Sequence, residues 1–342
     1  MVRRVLWGSL ALTPIVLAAR YLFHLDETML FVLSALALIP LAWMIGEATD
    51  HAAEHTGPGL GGFLNASFGN APELIIALIA VADGLPGVVR GSLTGSVVSN
   101  ILLVLGAAMI AGGDGRVDTR SLRLQLACVF GAVLLLLVPS VPSLHGSHET
   151  HGLYLVTIPV AVVLLLVYVL ITVRNLRIHR RAERKEASED AWSLQSSLAL
   201  LGVATLATAF VSEILVHSLD HFGKAVGLGE FFIAVVIVAI VGNAAEHGGA
   251  VVIARKGNTE LATEIAVTSS MQVALFVMPV VALLSWTVGP ALPLSFRVIE
   301  LVTMGVAAAF ATLVVLDGRS RRWEGFMLVG VYGLCVVWYA LA

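Results

Sequence analysis

The chain is predicted to be an all-α integral membrane protein, and three observations carry that expectation. Of its 342 residues 58% are hydrophobic and 13% charged, with a mean hydropathy of +0.94. A soluble domain needs a more polar surface than that. The apolar residues gather into runs of about twenty or more, the helix length that crosses about 30 Å of hydrocarbon. Short segments of alternating polarity, which would mark a barrel, are scarce, and helices satisfy their own backbone groups in lipid.

Such runs lie at 5–24, 28–50, 59–83, 88–111, 121–142, 152–173, 194–219, 228–254, 260–286, 294–316 and 323–341, giving eleven expected transmembrane helices. The first is long and has no small-residue cleavage site after it, so it reads as a retained helix rather than a signal peptide. Cys128 and Cys335 fall inside spans without metal-ligand spacing, so neither a disulfide framework nor a zinc cluster is implied.

Orientation follows from the basic residues. With the N-terminus cytoplasmic, the inner segments hold Arg3, Arg4, Arg116, Arg120, Arg123, Arg174, Arg177, Arg180, Arg181, Arg184, Lys185, Arg255, Lys256, Arg319, Arg321 and Arg322. Only Arg20, Arg90, Lys224 and Arg297 fall outside. This is a strong positive-inside bias, and one missed or invented span would invert every later loop and weaken it. Short loops point to a bacterial inner membrane.

The one strongly charged connector, 174–190, stands between the sixth and seventh runs and reads as cytoplasmic. The expected organisation is an extra N-terminal helix at 1–27, a first five-helix repeat at 28–173, a linker at 174–192 and a second five-helix repeat at 193–342. An offset of 173 places Gly69, Asn70, Ala71 and Glu73 on Gly242, Asn243, Ala244 and Glu246 without a gap. It also carries Ala77 onto Ala250, Gly84 onto Gly257 and Ser96 onto Ser269. The two motif helices are an odd number of spans apart, so they cross the membrane in opposite directions and the repeat is inverted. Inverted repeats with Gly- or Pro-interrupted helices at matching places are a transporter architecture, with the site between the halves.

The duplicated motif puts one carboxylate in each half. A charged side chain in mid-membrane costs about 2.5–3.5 kcal/mol on insertion scales, so Glu73 and Glu246 are expected to face each other rather than lipid. Around Glu73 lie Gly57-Pro58-Gly59, Gly61-Gly62, Asn65, Ser67, Gly69, Asn70 and Pro72, and around Glu246 lie Gly242, Asn243, His247, Gly248 and Gly249. Helices so interrupted can open and offer carbonyl oxygens. Two carboxylates, two asparagine amides and such carbonyls suit Ca²⁺, which takes six to eight oxygen ligands at about 2.3–2.6 Å. Without the cation, protons neutralise the same pair, so the two compete for one site. The bland alternatives are that the glutamates tie helices together and that Asn70 and Asn243 cap broken helices. His247 either relays protons beside Glu246 or orients that carboxylate.

Four ordered motifs then identify a resemblance: 65–74 (NASFGNAPEL), 95–106 (GSVVSNILLVLG), 242–247 (GNAAEH) and 269–277 (SSMQVALFV). Together they resemble the calcium/proton exchangers of the calcium/cation antiporter superfamily, over nearly the whole chain after the first run. The resemblance implies that Glu73 and Glu246 bind Ca²⁺ and exchange protons, with Asn70, Asn243, Ser99 and Gln272 lining the site beside Gly69 and Gly242. Sodium/calcium exchangers look like Gly-Thr-Ser-x-Pro-Glu at this position, so the proton-coupled branch is favoured. Pro72 departs from the family's usual Thr or Ala. The acidic linker stretch is reduced to Glu183, Glu186, Glu189 and Asp190.

Further acids accompany the first helix of each half: Glu47, Asp50 and Glu54 on the inner side and Glu213 on the outer side. The segment Gly46-Glu47-Ala48-Thr49-Asp50 resembles the family's Gly-Glu-Ala-Thr-Glu, so Glu47, Asp50 and Glu213 are expected at a gate or proton pathway, whereas Glu54 reads as hydrated. His51-Ala-Ala-Glu54-His55 formally fits an inverted zinc-protease pattern but leaves the duplicated motif unexplained. The outer-loop histidines His145, His148 and His151 read as solvated, and the tryptophans as interface anchors.

The expected function is therefore secondary antiport of cytoplasmic Ca²⁺ for H⁺ by alternating access. A sodium-coupled or broader cation exchanger, a cation channel and an intramembrane metallopeptidase are the alternatives. No enzyme activity, cofactor or nucleic-acid partner is called for; the partners are Ca²⁺, protons and the lipid bilayer.

Overall fold

A computed structural model describes residues 2–144, 150–179 and 192–342. His145, His148 and linker residues 180–191 lie outside them. Apart from one two-residue strand pair, the regular structure is helical. In order the elements are α1 Val2–Ser9, α2 Leu12–Tyr21, α3 Glu27–Phe68, α4 Ala71–Ala82, α5 Pro86–Gly112, β1 Gly115–Arg116, α6 Thr119–Leu144 and α7 Thr150–His179. After the linker come α8 Leu194–Val226, α9 Glu230–Gly242, α10 Ala244–Arg255, α11 Thr259–Val288, α12 Val298–Val314, β2 Arg319–Ser320 and α13 Arg322–Leu341. The two strands pair antiparallel, Gly115 opposite Ser320.

Among the described residues, eight helices are long and apolar enough to cross a membrane: α3, α5, α6, α7, α8, α11, α12 and α13. A ninth span is formed if α9 and α10, bent by 56° at their junction, count as one. The remaining two expected runs are subdivided. Run 5–24 breaks at Leu10–Ala11 into α1 and α2, with Pro14 in the first turn of α2, where its missing N–H is not needed. Run 59–83 breaks at Gly69–Asn70, so only α4 is a separate helix there.

The expected break between runs 28–50 and 59–83 falls inside α3, whose membrane-crossing apolar span ends at Thr56. Its backbone bonding stays helical through Gly57-Pro58-Gly59, but a Cβ at Gly61 would stand 2.9 Å from Ala53, eight residues earlier and about 12 Å away in a straight helix, so α3 bends back sharply there. Glycine and proline weaken the helix at that point, and the rest of α3 packs against α8.

Burial sets the layers. The apolar windows of α5 and α11 are 83% and 67% buried, whereas that of α7 is 28% buried, so α5 and α11 form the centre and α7 the rim. Close packing at the centre rests on Gly95: a Cβ there would stand 2.0 Å from the carbonyl oxygen of Val235 on α9. Phe31 of α3 stacks on Phe222 of α8 at 4.2 Å between ring centroids. Trp7, Trp43 and Trp192 cluster together, while Trp286, Trp323 and Trp338 are exposed on the apolar exterior. Three π-helical segments widen the helices, at Ser99–Val104 in α5, Ile233–Val238 in α9 and Val273–Val277 in α11. Such segments recur where helices carry function.

Candidate ion site

The two copies of the motif form the same local structure. Asn70 precedes α4 with φ −100° and ψ 19°, and Asn243 precedes α10 with φ −93° and ψ 8°. Each glutamate is the third residue of a helix that starts at the break, where free N–H groups and the helix dipole favour a carboxylate. Pro72 occupies the second position of α4, which lacks an intrahelical acceptor, so it is accommodated without loss of a hydrogen bond. Neither asparagine caps its own helix with its side chain. The amides are turned to other helices.

Asn70 Nδ2 donates to Gln272 Oε1 on α11 at 2.9 Å. Asn243 Nδ2 donates to Ser96 Oγ on α5 at 2.8 Å and to the Ala239 carbonyl at 2.9 Å. Asn100 of α5 donates to Asn243 Oδ1 at 3.3 Å and to Ser269 Oγ at 3.0 Å, and its own Oδ1 lies 2.9 Å from His247 Nε2. Ser269 stands beside Glu246. Glu73 is only 6% exposed, and a Cβ added at Gly242 would lie 3.8 Å from its Cγ. The second motif therefore packs directly against the first carboxylate, and a methyl group at position 242 would be in ordinary van der Waals contact with it. Glu73, Gly242, Ser92 and Ser96 line a narrow cavity there.

Among the buried oxygens without a hydrogen-bond partner are three at this site, Asn70 Oδ1, Glu73 Oε2 and Glu246 Oε2. Buried acceptors are normally satisfied, and leaving one unpaired costs about 1–3 kcal/mol. All three belong to the duplicated motif and are hard oxygen donors. This set suits a Ca²⁺-like ion, with backbone carbonyls and water completing the shell, and suits protons equally. Among the described residues no three His, Cys, Asp or Glu side chains converge as a metal site, so the donors available are two carboxylates and an amide.

The other expected site residues are placed as follows. Gln272 joins the site through Asn70, and His247 through Asn100. Ser99 is fully buried, but its hydroxyl bonds the Ser96 carbonyl of its own helix at 3.3 Å; Ser96, one turn earlier, reaches Asn243 instead. Glu47 pairs with Arg3 at 2.7 Å and lies 3.9 Å from His51. Asp50 is exposed near Glu47, His51 and Glu54. Glu213 is exposed, and its carbonyl accepts from His217 Nδ1 at 2.8 Å. Among the described residues, no hydrogen bond or ion pair joins Glu47, Asp50 or Glu213 to Glu73 or Glu246. His55, part of the protease-like pattern, bonds the Trp192 carbonyl at 2.6 Å.

Asn100 is the central residue that sequence reasoning did not assign. It lies inside the 95–106 motif, and Ser96 and Ser269 coincide at the repeat offset, so a signal was present for all three.

Comparison with known proteins places this geometry in context. The model of the family described as "Sodium/calcium exchanger protein" matches residues 27–177 and 196–341. The chain is 36% identical to the Ca(2+)/H(+) antiporter of Aphanothece halophytica, covering 96% of this chain and 94% of that protein. It is likewise 36% identical to the Ca(2+)/H(+) antiporter ChaA of Bacillus subtilis (strain 168), with 94% of each covered. It is similar to the solved structure of native YfkE, with a TM-score of 0.85, 32% identity and coverage of 98% of this chain and 100% of that one.

Proposed function

Because the chain belongs to the sodium/calcium exchanger protein family, we propose that this multi-pass membrane protein is a Ca²⁺/H⁺ antiporter whose paired glutamates carry either ion in turn. The observation that carries the reading is the trio of unpartnered buried oxygens on Asn70, Glu73 and Glu246. Relatives along nearly the whole chain that are named for Ca²⁺/H⁺ antiport support the choice of ions.

In the inward-facing state Glu73 and Glu246 release protons and take Ca²⁺ from the cytoplasm. After the halves rearrange, external protons displace the ion and reset the carrier. Asn70 and Gln272 line the site, Gly69 and Gly242 stand beside the helix breaks, and Asn243, Ser99 and His247 support it. Glu47 and Asp50 at one end and Glu213 at the other serve the approaches, and act at a distance from the paired carboxylates.

The architecture is one extra N-terminal helix and two inverted five-helix repeats, eleven spans in all once the broken helices are counted through. Several features support it. The family model divides at the linker, and the equivalent residues Asn70 and Asn243 have nearly the same backbone angles. Ser270 Oγ bonds the Val97 carbonyl at 3.2 Å, and these two residues are equivalent at the 173 offset. A contact between equivalent residues is what a two-fold axis produces. The boundaries are 1–27, 28–173, 174–192 and 193–342, with the N-terminus and linker cytoplasmic in a bacterial inner membrane.

Reconstitution in liposomes with an imposed pH gradient tests the reading, with Ca²⁺, Mn²⁺, Na⁺ and K⁺ offered in turn. Saturable Ca²⁺ movement with stoichiometric proton counterflow is expected. Conductive Ca²⁺ flux without proton movement would replace the antiporter by a channel.

A further inference from the structure

The two motifs are equal in sequence and backbone, yet their asparagines are used differently, and the hydrogen-bond directions can be read from one fixed point. The Ala239 carbonyl only accepts, so the Asn243 group 2.9 Å from it is the NH₂. Asn243 Oδ1 therefore faces Asn100, which must donate to it. The amide of Asn100 is thereby oriented: its NH₂ also serves Ser269, and its Oδ1 turns to His247, whose Nε2 must then carry a hydrogen. With an Asn100 N–H on the Ser269 oxygen, the Ser269 hydroxyl hydrogen is free to turn towards the neighbouring Glu246. Asn100 is 1% exposed, so water does not substitute for these contacts. In the other half, among the described residues, no side chain does the equivalent work. The 173 offset puts Val273 opposite Asn100, and Asn70 keeps its Oδ1 unpartnered while only its NH₂ is tied, to Gln272.

We propose that Asn100 is a positioning residue that makes the two halves of the ion site unequal. It occupies the amide oxygen of Asn243 and turns Ser269 towards Glu246, leaving Asn70 as the asparagine whose oxygen ligates the cation. The Ca²⁺ ligands from side chains are then Glu73, Glu246 and Asn70, and Asn243 serves as a strut between α5 and the broken helix. This rests on the antiport reading for the identity of the ion.

The test is equilibrium binding of radiolabelled Ca²⁺ to the purified full chain, alongside flux in proteoliposomes. Asn100→Ala raises the Ca²⁺ Kd by about tenfold or more, the usual cost of removing a partner of a metal-site ligand. Added to Asn243→Ala, the Asn100→Ala change costs clearly less than it does alone, since part of its effect passes through Asn243. Added to Asn70→Ala it costs its full factor. Equal factors on both backgrounds, or an unchanged Kd for Asn100→Ala, would overturn the proposal. If Asn100→Ala does not insert, Asn100→Ser is read by the same cycle. Flux of the unsubstituted protein tests antiport separately: Ca²⁺ binding without proton-coupled flux sinks antiport and leaves Asn100 to its own cycle. Absence of Ca²⁺ binding overturns both.

Discussion

At the scale of single residues, the site is governed by which buried oxygens lack a partner. Glu73 and Glu246 each keep one carboxylate oxygen free, and each stands in the first turn of a helix whose N–H groups favour negative charge. Glu73→Gln or Glu246→Gln preserves volume but removes both the charge and the exchangeable proton. Proton-driven Ca²⁺ flux is expected to fall to the level of protein-free vesicles while the variants still insert; full transport by either would remove the glutamates from the mechanism. Pro72 gives the opposite expectation. It sits where no backbone N–H is required, so Pro72→Ala changes stability by less than about 1 kcal/mol and leaves the Ca²⁺ KM unchanged. A large KM shift would show that the proline shapes the site. The glutamates were legible in the sequence because an intramembrane carboxylate needs a reason, and two at one offset need a shared one. The role of Asn100 was not, because an amide's partners are set by helices distant in the chain.

At the scale of elements, breaks and close approaches position the site. Both motif helices restart at an asparagine, and the sequence pointed to interrupted helices there. It also pointed to an opening near Gly57-Pro58-Gly59, and α3 bends back sharply between Ala53 and Gly61. Both outcomes follow from local propensity, since glycine and proline weaken a helix where they gather. At the centre, α5 meets α9 so closely that a side chain at Gly95 has no room. Gly95→Val is expected to destabilise the protein by about 1–3 kcal/mol, as overpacking does, and to lower the thermal midpoint of the detergent-solubilised chain. An unchanged midpoint would mean that α5 and α9 separate readily. Periodicity alone does not reveal that contact, since many glycines in membrane helices pack against nothing; Gly131 and Gly202 have open space where a Cβ would go.

At the scale of the whole molecule, two charge distributions matter: the paired carboxylates inside and the basic residues on one side. Competition at one site makes Ca²⁺ affinity pH-dependent with a defined sign. Acidifying the Ca²⁺-loading side raises the apparent KM, between about tenfold and hundredfold per pH unit once the carboxylates hold protons, according to whether one or two are displaced. Flux measured over a pH series reads this slope, and a KM that does not move with pH would exclude proton competition. The topology is checked by labelling. With Cys128 and Cys335 replaced, Lys224→Cys reacts with an impermeant maleimide added outside and Lys256→Cys with reagent added to the cytoplasmic face; both positions are exposed. The reverse pattern would invert the orientation.

The amino-acid sequence by itself determined the membrane class, the basic asymmetry and the doubled Gly-Asn-Ala-x-Glu motif, because each is a local or additive property: apolar length, summed charge, spacing along the chain. Only the tertiary structure decided which oxygens remain unpartnered, that Ser96 rather than Ser99 meets Asn243, and that Asn100 joins the second motif to α5 and α11. Those outcomes depend on hydrogen-bond partners brought together from residues well over a hundred positions apart. A buried donor or acceptor takes whichever partner the packing of helices puts within reach.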